Sequence, residues 1–585
     1  MNNENQLLLQ SPLWFYISQN KRPFFVGLTL LVFNNFVDCL TPLVLKIAID
    51  YLTAGIYDQT EIVRISAMFF GVIGTLALTR YGWRVIWGRF HTLSAEDLRN
   101  RIFNHYTVLG PQFFTQSSIG QMMSLITNDV QSFRNGIGPG LLTLVDGTSL
   151  LIILIPMMIF IDWSWTWKCL LLMPLVPFLI NFIMRQIWKN FKIQQERLSE
   201  MTGYTQELIS GIRTIKTFAQ EENKKNIFNQ YSKKYEIATN KMSLIDAFFE
   251  PVMKLSVASG TLILFYFGGM EVITGVKTVG SFIAFQRYIQ KIIWPMSALG
   301  FGFSQWQKGM AAFSRIKEQL EKTPDFANDV GLDLKKVESL ELKEVGFYYQ
   351  QQGFTLEKIN LKINQGDFIG IVGPVGAGKS TLIQILSRYL VPQKGDFLIN
   401  GISYSKYKFS QIWKKIKLVP QEAFLFSETV KNNVIFGIPE NLMKLESQDQ
   451  RIEQIVDQVG IKEEIMALPL QFESQLGEKG VNLSGGQKQR LTLARGIIAD
   501  ADVILLDDTL SAVDAETEEL IQNELYLANP QQIRVVITHR IKTIVKASQI
   551  VVMNKGKIEG IGTHKELLMT SAIYREMAQI QGAEL

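Results

Sequence analysis

At 585 residues the chain is longer than one hydrophobic core can organise, so two or more domains are expected. Hydrophobic residues make up 47% and charged residues only 19%, with a mean hydropathy of +0.11, which excludes both a disordered chain and a purely soluble one. The net charge of +5, with a pI near 8.8, is too weak over this length to imply nucleic-acid binding and suits a membrane protein with a basic cytoplasmic side.

Met1 to Asn20 carries acidic and amide residues where a signal peptide carries basic ones, and it lacks a small-residue cleavage site, so the first membrane crossing is expected to be retained. Crossing the hydrocarbon layer, about 30 Å thick, takes roughly 20 apolar residues. Such runs recur near 23–50, 62–86, 137–161, 166–188, 246–269 and 280–303, which predicts six transmembrane helices. Pro42, Pro156, Pro174, Pro177 and Pro295 fall inside them, where neighbouring helices can satisfy the freed backbone groups. Cys39 and Cys169 also lie in apolar runs; they cannot build a disulfide scaffold and read as packing residues.

The connections set the orientation. Stretches 51–61, 162–164 and 269–280 contain Lys277 as their only basic residue. By contrast, Arg84, Arg89, Arg99 and Arg101 follow the second run, and Arg185, Lys189, Lys192 and Arg197 follow the fourth. An excess of positive charge marks the cytoplasmic side, so these stretches and both termini are expected there. The inner connections 86–136 and 189–245 are long and periodic, which predicts helices continuing past the bilayer. Residues 321–336, with Pro324, Asp325, Asn328, Asp329 and Gly331, read as a linker between a membrane domain of 1–320 and a soluble domain of 337–585. In the latter, short β-branched strands alternate with amphipathic helices, the pattern of an α/β domain with a largely parallel sheet.

An apolar strand at 368–372 runs into Gly373, Pro374, Val375, Gly376, Ala377, Gly378, Lys379 and Ser380, and a helix follows. This is GxxxxGK[ST] in its strand, loop and helix setting. Its glycines let backbone N–H groups turn towards phosphate oxygens, and the helix N-terminus adds partial positive charge. Lys379 is the candidate for the β- and γ-phosphates, and the Ser380 hydroxyl for Mg²⁺. A second strand, 503–506, ends in Asp507 and Asp508, where a carboxylate can reach the same ion. A third, 534–538, ends in His539, the one histidine placed at the C-terminal end of such a strand, where open α/β sheets bind ligands.

Residues 483–487 spell LSGGQ and open a helix. With Tyr349 ahead of the phosphate loop, Gln421 after a strand at 416–419, the acidic strand tip, 511–514 and His539 in order, the chain resembles the ATP-binding cassette (ABC) family. Six apolar runs ahead of the cassette on one chain extend that resemblance to exporter half-transporters. The fold it implies is a polytopic α-helical membrane domain of the type I exporter kind followed by an α/β P-loop nucleotide-binding domain. It further implies a dimer that sandwiches two ATP molecules, each between one subunit's phosphate loop and the other's LSGGQ. By this resemblance Tyr349 would stack on adenine, while Gly373, Gly376, Gly378, Lys379, Ser380 and Thr381 would hold the phosphates. Asp507, with Ser380 and Gln421, would hold Mg²⁺. Gln421 would also sense the attacking water, His539 would contact the γ-phosphate, and Asp514 would communicate across the dimer. Ser484, Gly486 and Gln487 would complete the partner's site. Pro111 to Ile119, with Phe113 and Phe114, and Gly211 to Ala219 are the expected coupling helices.

One departure stands out. The family normally has a glutamate after the Mg²⁺-binding aspartate, acting as general base on water, whereas this chain has Asp508. One methylene fewer withdraws the carboxylate by about 1 to 1.5 Å from a water that must be met within roughly 3 Å. Misplacement of about 1 Å can cost on the order of 100-fold in rate. The chain's own site is therefore expected to bind ATP and hydrolyse it slowly, as in the degenerate-site subunit of bacterial heterodimeric multidrug exporters. The alternatives are a homodimer in which Asp508 still works, a lipid or peptide exporter, an importer, a soluble nucleic-acid enzyme of similar fold, and a regulatory nucleotide-binding module. The six runs argue against the nucleic-acid enzyme, and fusion of the two domains argues for export.

Polar residues expected at membrane depth are Asn34, Asn35, Asp38, Asp146, Asn181, Glu250 and Lys254, of which the last two could neutralise each other four residues apart. Phe248, Phe249, Phe265, Tyr266 and Phe267, with Met253 and Met270, would suit a greasy cavity for amphiphilic small molecules. The expected setting is the cell membrane, with a second half-transporter subunit, the lipid bilayer and an amphiphilic substrate as partners, ATP and Mg²⁺ as cofactors, and no nucleic acid.

Overall fold

The computed structural model describes residues 3–55, 58–171, 175–323, 329–349, 353–438, 448–477, 480, 482–509, 513, 517–521, 523 and 529–582. Asp514 and the rest of 510–512 and 514–516 lie outside them, as do the side chains of Asn181, Phe249 and Met253. The chain divides into two compact units, Met1–Tyr106 with Gly120–Lys322, and Thr107–Ile119 with Thr323–Leu585.

The first unit is helical. Short helices α1 (Asn3–Gln10) and α2 (Pro12–Gln19) lead into α3 (Lys21–Thr53) and α4 (Gln59–Thr107). After α5 (Pro111–Gln116), which belongs to the second unit, a chain of helical pieces follows: α6 (Ile119–Ser124), a π-turn at Leu125–Asp129, α7 (Val130–Asn135), a second π-turn at Gly136–Gly140, and α8 (Leu141–Ile161). Then come α9 (Trp163–Leu170), α10 (Leu175–Ser210), α11 (Ile212–Thr217), α12 (Glu221–Ala247), α13 (Phe249–Ile273), α14 (Val279–Lys291) and α15 (Ile293–Leu320).

The predicted apolar runs fall on helices apart from turn residues Leu171, Phe248 and Ile292, and three helices among those described are long and apolar enough to cross a membrane: Lys21–Thr53, Gln59–Thr107 and Ile119–Ile161. The fourth run falls on α9 and α10, with 172–174 outside the described residues, the fifth passes from α12 to α13 at Phe248, and the sixth passes from α14 to α15 at Ile292. Pro42 and Pro156 stay inside their helices, as expected where neighbours cover the backbone. Cys39 and Cys169 are buried free thiols packed with Leu154, Met158, Trp165, Phe285 and Tyr288. Where the second π-turn meets α15, a Cβ added to Gly136 would stand 2.9 Å from the Gly309 Cα, so only glycine permits that backbone approach.

The second unit holds two sheets. β1 (Ser339–Tyr349), β2 (Gly353–Asn364), β4 (Lys394–Ile399) and β5 (Ile402–Ser403) form an antiparallel sheet in the order β2-β1-β4-β5. The larger sheet runs β10-β9-β3-β8-β7-β6, from β3 (Phe368–Val372), β6 (Ile416–Val419), β7 (Val503–Asp507), β8 (Ile533–Ile537), β9 (Gln549–Asn554) and β10 (Lys557–Gly562). All its pairings are parallel except β9 with β10. All five positions of β7 and of β8 are buried, which is why neither alternates: β7 is apolar up to Asp507, and β8 is apolar apart from Arg534. Leu340, Phe347, Ile371, Leu382, Phe397 and Leu505 belong to the core cluster of this unit. From Asp329 onward the segment read as a linker is held down: Asp329 accepts from the Phe409 and Ser410 backbone, and Leu332 pairs with Tyr407.

Candidate nucleotide site

The site is set by three neighbouring strands. β8 lies between β3 and β7, with Ile537 in register with Ile371 on one side and Asp507 on the other. Their C-terminal ends therefore bring the loop after β3, Asp507 with Asp508, and His539 to one place. There a cleft of about 650 Å³ is lined by residues of all three, with Tyr349 and Gln421 on its wall.

The loop after β3 has a conformation that side chains resist. Gly373, Gly376 and Gly378 have φ of 151°, 80° and 95°. A Cβ on Gly373 would meet the Met553 carbonyl oxygen at 2.1 Å. The helix that follows, α16 (Lys379–Leu386), points its free N–H groups back into the loop. Lys379 is nearly buried and donates to the carbonyl oxygens of Gly373 at 2.8 Å and Pro374 at 3.0 Å. A cation tied to neutral carbonyls at the mouth of an anion-binding loop is placed to exchange them for phosphate oxygens. Burial lowers its pKa, opposed by Asp508 and then Asp507.

The Ser380 hydroxyl donates to Asp507 Oδ1 at 3.1 Å. A hydroxyl and a carboxylate this close form an oxygen donor set that fits a hard divalent cation completed by phosphate oxygens and water. Among the described residues no group of three or more His, Cys, Asp or Glu could hold a metal ion. Burial raises the Asp507 pKa; Ser380, Lys379 and His539 oppose this and Asp508 adds to it.

Asp508 follows with φ 47°, a left-handed conformation that aspartate tolerates better than most side chains. Its N–H donates to the Ile537 carbonyl at 3.0 Å, and Gln421 Nε2 reaches its Oδ2 over a long 3.4 Å. Burial raises the Asp508 pKa as well, opposed by His539, Lys379 and Arg540, with the His539 backbone N–H donating to the carboxylate.

The cleft thus collects Tyr349, Gly376, Gly378, Lys379, Ser380, Thr381, Gln421, Asp507, Asp508 and His539. It does not collect Ser484, Gly486 or Gln487. Ser484 instead caps the helix Gly485–Ile498, accepting from Gln487 N at 3.3 Å while its own N–H donates to Gln487 Oε1 at 2.9 Å. Ser484 and Gly485 are exposed, leaving that helix N-terminus open. Sequence reasoning missed Thr355, Lys555 and Gly556, which also line the cleft. Gly556 N–H donates to the Ala377 carbonyl at 3.1 Å, fixing the β9–β10 turn against the phosphate loop. No motif marks that turn; an Asn-Lys-Gly run between two strands signals a hairpin and nothing about where it docks.

Residues 24–296 match the family described as ABC transporter transmembrane region, and residues 356–511 match the family described as ABC transporter. The probable multidrug resistance ABC transporter ATP-binding/permease protein YheI of Bacillus subtilis is 30% identical over 571 residues, 97% of this chain and 96% of that protein. The chain belongs to the ABC transporter family. A further relative of this ABC transporter is the multidrug resistance-like ATP-binding protein MdlA of Escherichia coli, 31% identical over 580 residues, 98% of this chain and 97% of that one. The fold is that of a solved bacterial Atm1-family ABC exporter with ATP bound, at TM-score 0.76 and 22% identity over 97% of this chain and 99% of the other. The ABC transporter described here is an exporter whose ATPase activity is coupled to transmembrane transport.

Proposed function

We propose that this chain is one half of a heterodimeric exporter of amphiphilic small molecules, in which its own phosphate loop binds ATP with Mg²⁺ and hydrolyses it slowly. The observation that carries the reading is Asp508: a carboxylate one methylene short of the usual base, its oxygens engaged by Gln421 and the His539 N–H. The names of the relatives in Bacillus subtilis and Escherichia coli support a multidrug-type substrate.

In this reading Tyr349 packs on adenine, Lys379 and the N–H groups of the loop and α16 hold the phosphates, and Thr381 supports that helix turn. Ser380, Asp507 and Gln421 orient Mg²⁺, which neutralises phosphate charge when bound. His539 contacts the γ-phosphate, and Asp508 positions the water that it polarises poorly. Ser484, Gly486 and Gln487 face the partner subunit's nucleotide; their open helix N-terminus outside the chain's own cleft supports this. The membrane domain of 1–320 crosses the cell membrane six times, with the linker 321–336, the nucleotide domain 337–585 and both termini in the cytoplasm. Closure of the two cassettes turns the membrane cavity outward, and α5 and α11 carry the movement; the grouping of Thr107–Ile119 with the second unit supports that role for α5.

A homodimer with Asp508 as the working base is favoured by one observation, that burial raises the proton affinity of this carboxyl. Steady-state hydrolysis separates the readings. In the complex with its partner, Asp508→Asn is expected to slow turnover far less than Glu→Gln at the matching position of the partner. Equal loss from the two changes, or full activity of the purified chain alone, would sink the heterodimer.

A further inference from the structure

Inside the apolar runs, leaving aside Asp50 and Asp246 at a last and a first position, the acidic residues are Asp38, Asp146 and Glu250. Two of them carry their own cation. Lys291 Nζ lies 2.5 Å from Asp38 Oδ2 and also donates to the Asp38 carbonyl at 2.7 Å, and Lys254 Nζ lies 2.7 Å from Glu250 Oε1. Among the described residues Asp146 has only neutral donors: Asn35 Nδ2 at 2.9 Å from Oδ1 and Trp294 Nε1 at 2.9 Å from Oδ2.

The placement makes that difference consequential. Asp146 lies five residues into α8, roughly 8 Å along its axis at about 1.5 Å per residue, inside a helix that qualifies as a membrane span. A carboxylate at such depth without a counter-charge is costly, and intramembrane ionisable groups of this kind mark binding sites or ion paths. The geometry is also fixed from three helices. Asn35 on α3 is 5% exposed and donates as well to Ser149 Oγ at 2.9 Å, so its amide cannot swing away. Trp294 on α15 turns its N–H to the carboxylate while the residue stays 56% exposed, which leaves an accessible indole beside a carboxylate with neutral donors. An anion next to an open indole ring is the chemistry that recognises a cation with apolar substituents: charge to the carboxylate, π-face and apolar contact to the ring.

We propose that Asp146 and Trp294 form a binding site for amphiphilic organic cations; this names a substrate class for the exporter reading and rests on that reading for the fate of the ligand, not for its binding. The test is equilibrium binding of tetraphenylphosphonium, and of neutral triphenylphosphine oxide, to the full-length chain in phosphatidylcholine nanodiscs without ATP. Asp146→Asn is expected to weaken cation binding about tenfold and leave the neutral probe unchanged, while Asp146→Glu keeps cation binding within about threefold. Should Asp146→Asn fail to fold, Trp294→Leu, which spares the carboxylate, is the second arm, with an expected loss of about fivefold for the cation alone. Unchanged cation affinity in these variants overturns the site. So does an equal loss for both probes, or a loss of subunit association with cation affinity intact, which would make Asp146 an intersubunit contact. ATP turnover plays no part in this measurement, so a chain that binds the cation through Asp146 yet exports nothing refutes only the exporter reading.

Discussion

Ser380 Oγ and Asp507 Oδ1 lie 3.1 Å apart although 127 residues separate them in the chain. The register of β3, β8 and β7 makes this meeting unavoidable, because Ile371, Ile537 and Asp507 stand side by side across three strands. Asp507→Asn is therefore expected to remove the Mg²⁺ dependence of ATP binding while leaving metal-free nucleotide binding within about threefold. Titration of a fluorescent ATP analogue with and without EDTA checks it, and an undiminished response to Mg²⁺ in the variant would place the ion elsewhere.

The same carboxyl gives a pH prediction. Burial raises its pKa in the folded protein above the unfolded value. The folded state then binds the proton more tightly, so in metal-free, nucleotide-free protein this group disfavours folding near neutrality and less so as pH falls through its folded pKa. Asp507→Asn should melt higher than the parent at pH 7 without Mg²⁺, with the gap narrowing as pH is lowered. A gap that is constant with pH would show that charge is not its origin.

Lys379 supplies the one cation held inside the phosphate loop by two loop carbonyls. Lys379→Ala should weaken ATP binding about 10- to 100-fold, the value of a charged hydrogen-bonding group, without lowering the melting temperature by more than a few degrees. Loss of ATP binding together with loss of the folded second unit would mark the lysine as structural instead.

Gly373→Ala combines a φ of 151° with a Cβ only 2.1 Å from the Met553 carbonyl oxygen. Backbone cannot yield as a flexible side chain would, so a destabilisation of about 2 kcal/mol or more and loss of nucleotide binding are expected. Thermal melting and ATP titration report both. A variant with parent-like values would mean that the strand ends are free to separate.

Asp508→Glu restores the longer carboxylate. ATP hydrolysis by the purified chain is expected to rise by about 10- to 100-fold, at a cost of about 1 kcal/mol because a φ of 47° suits glutamate less well than aspartate. Unchanged turnover would trace slow hydrolysis to some cause other than reach.

Much of the lining of the candidate cleft was legible in the sequence. The strand 368–372, the glycine loop, Lys379 and Ser380 form one contiguous motif, and a motif carries its own local geometry: glycines admit positive φ, and a helix start exposes its N–H groups. Asp507 and His539 stood out because each follows a short, β-branched-rich or aliphatic segment that reads as a strand. Lys555 and Gly556 were not, since a hairpin turn announces its shape and not its neighbour. In the membrane half, hydropathy located the apolar runs but not the breaks at Phe248 and Ile292, which lie where Pro251 and Pro295 have no N–H to donate to the carbonyls of Ala247 and Lys291.

The amino-acid order alone determined which segments are apolar, which loop can wrap a phosphate, and that an aspartate follows Asp507, because each of these depends on neighbours within a few positions; that a glutamate is usual there is what the family resemblance adds. Tertiary structure alone decided that Asp38 is neutralised by Lys291 and that Asp146, among the described residues, meets only the neutral donors of Asn35 and Trp294. Residues of three helices, far apart in the chain, converge there, and whether a buried charge finds a counter-ion is settled by distance in space rather than by position in sequence.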